Sequence, residues 1–297
     1  MIHNIALIGY GRWGKVIENF LNQSSEYNLV SIVTSQKFHK KNKIKFYKRI
    51  NDLTKNEKID CLYIAKDPFA NFTTLEHCKK LGLPIIFEKP ISNNSINLSK
   101  IINIIKKNKI IAFTNLPNIF SDTHKITKKY FIENKLKIKK IILHEGSNDY
   151  PREKIHPILD WAIHPISYIL SIIDNSEIDR INYNQIIYKK VENKYVSKFN
   201  ITLSNKINIK IVTGNSFKKK LRILKIILNN GDVFINNFER HEVYINNEKI
   251  FTSEKKPLNN LFNKFSKSIE NDDRKEGLNS IMLSFQSIKI IEKYLLK

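Results

Sequence analysis

The chain has few cysteines: among its 297 residues only Cys61 and Cys78 carry a thiol. Cys61 falls in an apolar run and Cys78 in a helical pattern, with neither a C-x-x-C spacing nor the spacing of metal ligands. This scarcity argues against a disulfide framework and against a zinc site, so we expect no metal. A reducing compartment, the cytoplasm, fits this composition.

Long uninterrupted apolar runs and a basic leader are also missing. The nearest approach to a membrane span is the stretch 155–173, which is interrupted by ionisable residues and prolines, namely His156, Pro157, Asp160, His164 and Pro165. Charged groups at the centre of a bilayer are costly, so this stretch is better explained as a buried functional region. We therefore expect no signal peptide and no contact with a membrane.

Acidic residues and arginine are scarce relative to lysine. The chain carries 51 basic and 28 acidic residues, a net charge of +23, yet only seven of the basic residues are arginine. The lysines are spread along the whole chain, and arginine is the side chain that most often contacts base edges. This pattern predicts no nucleic-acid partner. Attraction of an anionic substrate, such as a nucleotide sugar or a carboxylate, stays open.

A glycine turn near the start of the chain is the most informative motif. Gly9, Gly11 and Gly14 follow the buried apolar run 5–8 and precede a pattern with helical spacing from Lys15. Strand, turn and helix thus follow in the order that a dinucleotide site requires. A glycine-rich loop of another α/β protein is the alternative. We predict that the pyrophosphate of a dinucleotide contacts the turn and the helix start at Gly9, Gly11, Arg12, Trp13 and Gly14.

The second predicted strand, 29–34, ends without the acidic residue that usually binds the adenosine ribose. Thr34, Ser35 and Lys37 stand there instead. Hydroxyl donors and a cation suit a 2′-phosphate, whereas a carboxylate would repel it. We therefore expect NADP(H) to be preferred over NAD(H). The alternative is that Lys37 belongs to a solvated run of lysines.

The order of predicted elements defines the fold class. Strands and helices alternate to about residue 115, which predicts a doubly wound parallel sheet of the Rossmann type. From about residue 138 strands follow one another with alternating apolar residues, and a long helix over 281–295 ends the pattern. We predict an α/β protein with a Rossmann domain, 1–117, and an α+β domain with a mainly antiparallel sheet, 118–297. The last helix is a candidate for packing back on the first domain.

Taken together, four motifs resemble the glucose–fructose oxidoreductase/inositol dehydrogenase/MocA (Gfo/Idh/MocA) family of NAD(P)-dependent oxidoreductases. They are the glycine turn, Tyr63-Ile64-Ala65 at the end of a strand, Glu88-Lys89-Pro90 after the next strand, and Asp160-Trp161-Ala162-Ile163-His164 in the second domain. The resemblance covers nearly the whole chain. It implies a hydride transfer between the nicotinamide and a secondary alcohol or ketone of a sugar, nucleotide sugar or cyclitol.

The resemblance also implies roles for single residues. Lys89 would contact the substrate hydroxyl or carbonyl and bridge the two halves, with a cis peptide bond to Pro90. His164 would act as general base or acid, and Asp160 would orient the sugar or the histidine. The four-residue spacing places both on one face of a helix, and an imidazole titrates near neutral pH. Further implied contacts are Ala65, Glu88 and Lys89 with the cofactor and Asn115 with the substrate.

Some positions depart from the family's pattern. Lys66-Asp67-Pro68 replaces a loop that usually begins Thr-Pro, Asn71 replaces a histidine, and Ser167 with Tyr168 replaces an acidic residue. Substrate identity therefore stays open, as do an imine or tetrapyrrole reductase on the same fold and a non-catalytic NADPH-binding sensor. Further candidates for the pocket, or for surface and core roles, are His144, Tyr150, Arg152 and His156. We expect a homodimer or homotetramer with a small-molecule substrate.

Overall fold

The computed structural model describes residues 2–36, 44–149, 152, 154–173, 177–187 and 194–295. The chain separates into two compact units. The first comprises Met1–Asn115 with Phe262–Phe285, and the second comprises Leu116–Leu261 with Gln286–Lys297. The division into domains 1–117 and 118–297 stays a prediction. Lys37 and Tyr150 lie outside the described residues.

The first unit contains a six-stranded sheet in the order β3-β2-β1-β4-β5-β6, and all its described pairs are parallel. Its strands are β1 (His3–Ile8), β2 (Tyr27–Val33), β3 (Lys45–Tyr47), β4 (Cys61–Ile64), β5 (Ile85–Phe87) and β6 (Ala112–Thr114). The strand order reverses between β1 and β4, which makes their carboxyl ends the ligand-binding edge in this class of sheet. The predicted doubly wound Rossmann sheet is confirmed.

The helices of the described chain are α1 (Arg12–Leu21), α2 (Ile50–Asn56), α3 (Asn71–Cys78), α4 (Ser95–Lys107), α5 (Asp122–Asn134), α6 (Pro157–Ile172), α7 (Pro257–Glu270) and α8 (Lys275–Leu295). Local chemistry sets several of their ends. The Asn94 side chain accepts a hydrogen bond from the Asn97 N–H at the start of α4, and Pro157 occupies the first turn of α6. None of the described helices has the length and apolar character needed to cross a membrane.

Residues far along the chain complete the first unit. The side chain of Ser280 on α8 accepts a 2.9 Å hydrogen bond from the Thr114 N–H at the end of β6. Gly277 lies so close to β6 that a Cβ there would be 2.5 Å from the Ala112 carbonyl oxygen. The first half of α8 therefore packs directly on the edge strand β6 of this sheet.

The second unit is built on an eight-stranded sheet in the order β14-β13-β12-β11-β7-β10-β9-β8. Its strands are β7 (Ile138–Asn148), β8 (Ile178–Ile187), β9 (Tyr195–Leu203), β10 (Asn208–Gly214), β11 (Ser216–Leu228), β12 (Val233–Asn237), β13 (Glu242–Ile245) and β14 (Glu248–Thr252). β7 pairs parallel with β10, whereas the other pairs of these strands are antiparallel. The predicted mainly antiparallel sheet is confirmed, and α6 packs on β7, β9 and β10.

The runs Asn-Asn-Gly-Asp at 229–232 and Asn-Asn-Glu at 246–248 predict hairpin turns, and both connect neighbouring strands of this sheet. Gly231, with φ +95°, lies between β11 and β12. Asn246 and Asn247, with φ of +49° and +71°, connect β13 and β14. Asparagine and glycine tolerate this left-handed backbone, which matches the twist of the flanking strands. These turns fix the register of β11 against β12 and of β13 against β14.

Candidate functional site

The predicted cofactor residues of the first unit that the structure describes lie at the carboxyl edge of its sheet, or in the turn and helix start that follow β1. The Gly9 N–H donates to the Val33 carbonyl over 2.9 Å, and the Ala65 N–H donates to the Ile8 carbonyl over 2.8 Å. These bonds continue the hydrogen-bond ladders of the sheet beyond the ends of β1, β2 and β4. The turn after β1 is therefore held between the segments that follow β2 and β4.

Each of the three positions in the turn favours glycine for a different physical reason. A Cβ on Gly9, whose φ is +101°, would be 2.5 Å from the Ala65 carbonyl oxygen, and one on Gly14 would be 2.4 Å from the Gly9 carbonyl oxygen. Both glycines are required by contacts within the protein. Gly11 is different, because a Cβ there would have nothing within 4 Å. The space over Gly11 is thus open for a ligand, which is what a bound pyrophosphate needs.

The start of α1 is suited to an anion. Gly11 caps the helix with extended backbone and no side-chain hydrogen bond, and the first turn contains no acidic residue. Arg12 is exposed and Trp13 is half-buried. The first N–H groups of a helix have no acceptor within it, so a phosphate can take that place. The residues present therefore fit the pyrophosphate of a dinucleotide.

Thr34 and Ser35 follow β2 at the same edge. Thr34 is buried, and its hydroxyl accepts a 3.2 Å hydrogen bond from the Gln36 N–H, while Ser35 is exposed. The Thr34 hydroxyl proton remains available for donation to a ligand. The part of the prediction that concerns Lys37 lies outside the described residues.

A buried polar cluster of Tyr63, Glu88 and Asn115 lies where β4, β5 and β6 end. The Tyr63 hydroxyl donates to Glu88 Oε2 over 2.6 Å, and the Asn115 amide nitrogen donates to the same oxygen over 3.1 Å and to the Tyr63 hydroxyl over 2.9 Å. Burial and the Glu88 carboxylate raise the pKa of Tyr63 well above its usual value. Tyr63 therefore stays a neutral donor, and the cluster fixes the residue that precedes Lys89.

Lys89 comes directly after this cluster. Its side chain is only 8% exposed, which is unusual for lysine, and its peptide bond to Pro90 is cis, as predicted. Asn71, which stands where the family's pattern has a histidine, is fully buried, and its side-chain amide donates to the Ile91 carbonyl over 2.8 Å. Asn71 thus braces the segment that follows Lys89.

In the second unit, Asp160 and His164 lie one turn apart on α6, as predicted. Arg152 Nε lies 3.5 Å from Asp160 Oδ2, so the aspartate is paired with a cation. His164 is half-buried, and its carbonyl accepts a 2.9 Å hydrogen bond from the Ser167 hydroxyl. His156 caps the helix by accepting from the Ile158 N–H, and burial lowers the pKa of His156.

Sequence reasoning missed a polar group on the face of the second sheet that packs under α6. Glu145, 1% exposed, accepts from the Asn118 amide over 3.0 Å, and Arg222 Nε lies 4.0 Å from its other oxygen. The Thr213 hydroxyl donates to the Glu145 carbonyl over 2.6 Å. Glu145 follows Ile141 and Leu143 at alternate positions of β7. An acidic residue on an otherwise apolar strand face is the pattern from which this polar group could have been predicted. His144 points to the opposite face.

The fold and the glycine turn define the first unit as a dinucleotide-binding domain of the Rossmann class. Residues 3–116 match the family described as oxidoreductase family, NAD-binding Rossmann fold, Gfo/Idh/MocA. The first unit is therefore similar to the NAD-binding domain of the Gfo/Idh/MocA oxidoreductases, and the resemblance predicted from the motifs is confirmed. A comparison with curated proteins found no match.

Solved structures share the fold at low identity. A dehydrogenase from Chromobacterium violaceum is 13% identical, with a TM-score of 0.82 over 99% of this chain and 94% of that one. UDP-N-acetylglucosamine 3-dehydrogenase from Acidithiobacillus ferrooxidans is 13% identical, with a TM-score of 0.77 over 99% of both chains. The scyllo-inositol dehydrogenase from Lactobacillus casei is 15% identical, with a TM-score of 0.74 over 99% of this chain and 96% of that one.

Proposed function

We propose that this protein is an NADP(H)-preferring oxidoreductase that interconverts a secondary alcohol and a ketone on a sugar, nucleotide sugar or cyclitol. The observation that carries the proposal is the glycine turn of a domain that matches an NAD-binding oxidoreductase family. Its outer glycines are needed by the protein itself, whereas the space over Gly11 is open. The dehydrogenases with the same fold act on a UDP-sugar and on an inositol, as their names state, which supports this substrate class.

The first unit would hold the cofactor through the N–H groups at the start of α1 and through Thr34 and Ser35. When bound, the nicotinamide supplies the hydride chemistry. Lys89 would donate a hydrogen bond to the reacting oxygen, because an ammonium group stabilises negative charge that develops there. The Tyr63, Glu88 and Asn115 cluster holds the backbone before Lys89 and so keeps its position.

The second unit would supply proton transfer. When the alcohol is oxidised, the imidazole of His164 accepts the hydroxyl proton, and in the reverse direction it returns the proton to the carbonyl oxygen. Asp160 would orient the substrate or the imidazole, with its charge balanced by Arg152 at 3.5 Å. His164 is half-buried and therefore reachable by a small molecule.

Fluorescence titration with NADPH and NADH tests the cofactor half, and a screen of sugars, nucleotide sugars and cyclitols with NADP⁺ tests the reaction. We expect saturable binding, tighter for NADPH, and turnover of at least one secondary alcohol. Binding without turnover on any alcohol or ketone would favour the sensor, and turnover of an imine or tetrapyrrole alone would favour the alternative reductase. Absence of cofactor binding would refute all three. Cytoplasmic location and a homodimer or homotetramer stay predictions.

A further inference from the structure

We propose that a basic cavity in the first unit binds a phosphate monoester, the 2′-phosphate of the cofactor's adenosine, through Lys48, Arg49 and Lys66. The inference rests on the proposed function, because it assumes that a dinucleotide occupies the glycine turn. It assigns the phosphate contacts to residues that follow β3 and β4, in addition to the residues that follow β2.

The strand pairing places two of these cations beside the end of β2. β3 pairs parallel with β2 in the register Val33 opposite Tyr47, and the Thr34 N–H donates to the Tyr47 carbonyl over 2.9 Å. Lys48 and Arg49 follow Tyr47 directly. They therefore stand beside Thr34 and Ser35, the pair that replaces the usual ribose-binding acid.

Lys66 reaches the same edge from β4. Its Cγ lies 3.1 Å from the point where a Gly9 Cβ would be, so its aliphatic part lies over the glycine turn. Its charge also acts on Cys78 of α3: burial raises the pKa of that thiol to about 11, and the Lys66 ammonium opposes the rise. The side chain thus extends from the turn towards α3.

A single cavity of about 440 Å³ joins these residues, since Val33, Lys48, Arg49 and Lys66 line it together with Thr74 and His77. This volume lies in the range of small-molecule pockets. Among the described residues its lining includes two lysines and one arginine but no carboxylate. Within the described part of the chain, none of the three cations lies within 4.0 Å of a carboxylate oxygen.

Unpaired cations around a cavity without acids select for a dianion. A phosphate monoester carries a charge of about −1.5 to −2 at neutral pH and three acceptor oxygens, and the planar Arg49 guanidinium can bind two of them. NADH, with a neutral 2′-hydroxyl, would leave these cations without a partner. The departure at Lys66 from the family's usual loop thus gains a function in cofactor selection.

Titrations of the full chain with NADPH and NADH test the cavity. Arg49→Gln and Lys66→Gln should each weaken NADPH binding by about tenfold while changing NADH binding by less than about twofold. The matched control is Lys107→Gln, because Lys107 is an exposed lysine at the end of α4 and its replacement removes the same charge. It should leave both affinities unchanged. Arg49→Lys, which keeps the charge, should retain most of the preference.

Adenosine 2′-monophosphate should compete better than adenosine 5′-monophosphate against NADPH, and this advantage should disappear in Arg49→Gln. Equal loss of NADH and NADPH binding in a variant that keeps its unfolding temperature would overturn the cavity assignment, as would an unchanged NADPH preference in both variants. If the unaltered protein binds both cofactors equally, the assignment also fails, but the proposed oxidoreductase stands. If it binds neither cofactor, the proposed function fails first.

Discussion

The Tyr63 hydroxyl donates a 2.6 Å hydrogen bond to Glu88 Oε2 inside the first unit. Neither residue is near the other in sequence, and the pairing of β4 with β5 brings them together. The bond gives a buried carboxylate a donor immediately before the lysine proposed to contact the substrate. It therefore links the packing of the sheet to the position of Lys89.

Removal of this donor should destabilise the fold. Tyr63→Phe takes one hydrogen bond from a buried carboxylate that keeps the Asn115 amide, and we expect a loss of about 1–3 kcal/mol in the free energy of unfolding by urea. The matched control is Tyr47→Phe, which removes a 2.5 Å bond from the partly exposed Tyr47 to Glu57. It should cost about 1 kcal/mol or less, because water can replace the donor. An equal cost at both positions would contradict the importance of burial.

Alanine substitutions should separate the glycines that pack from the one that faces the ligand. Gly14→Ala places a Cβ 2.4 Å from the Gly9 carbonyl oxygen and should lower the free energy of unfolding by roughly 1–3 kcal/mol. Gly11→Ala meets no atom within 4 Å and should change stability by about 0.5 kcal/mol or less. The same variant should weaken NADPH binding at least about tenfold. Unaltered NADPH affinity in Gly11→Ala would argue against the pyrophosphate position.

The side chains of Lys89 and His164, which are proposed to act on the substrate, should be needed for turnover and not for cofactor binding. Lys89→Met and His164→Asn should each lower kcat by about 10²-fold or more, with the Kd for NADPH changed by less than about threefold. His241→Asn serves as control, because His241 has φ +57° and asparagine tolerates that backbone. The control should keep full activity. Comparable activity in all three variants would remove Lys89 and His164 from the mechanism.

Acid should destabilise the second unit through histidines that are held neutral. Burial, with the nearby charges of Lys210 and Lys225, lowers the pKa of His144 below its ordinary value of 6.5, and burial lowers that of His156. The unfolded chain therefore binds protons first as the pH falls below about 6.5, so stability is highest above that pH and decreases towards the folded-state pKa values. Thermal unfolding between pH 7.5 and 5 should show this decrease, and His144→Gln should make it shallower. An unchanged slope would contradict the assignment to His144.

Much of the first unit could be predicted from local patterns. Fully apolar runs such as 5–8 and 61–64 indicate buried parallel strands, and the glycine turn places the first of them before a helix. The structure adds the short strand β3 and the helix α2 to this unit. Outside the alternating region it also adds α5 and α7, whose apolar periodicity is weaker. β3 has only three residues, too few for a periodic signal, and its formation depends on pairing with β2.

The sequence by itself determined the class of fold, the glycine turn, the hairpin turns and the positions of Lys89, Asp160 and His164, because each depends on residues that are close together in the chain. The tertiary structure alone decided which side chains meet. The burial of Glu145 beside Asn118 depends on the packing of the short helical turn 117–120 next to β7. The cluster of Tyr63, Glu88 and Asn115 and the cavity that joins Arg49 to Lys66 depend on lateral strand pairing. That pairing joins residues many positions apart, and local spacing carries no record of it.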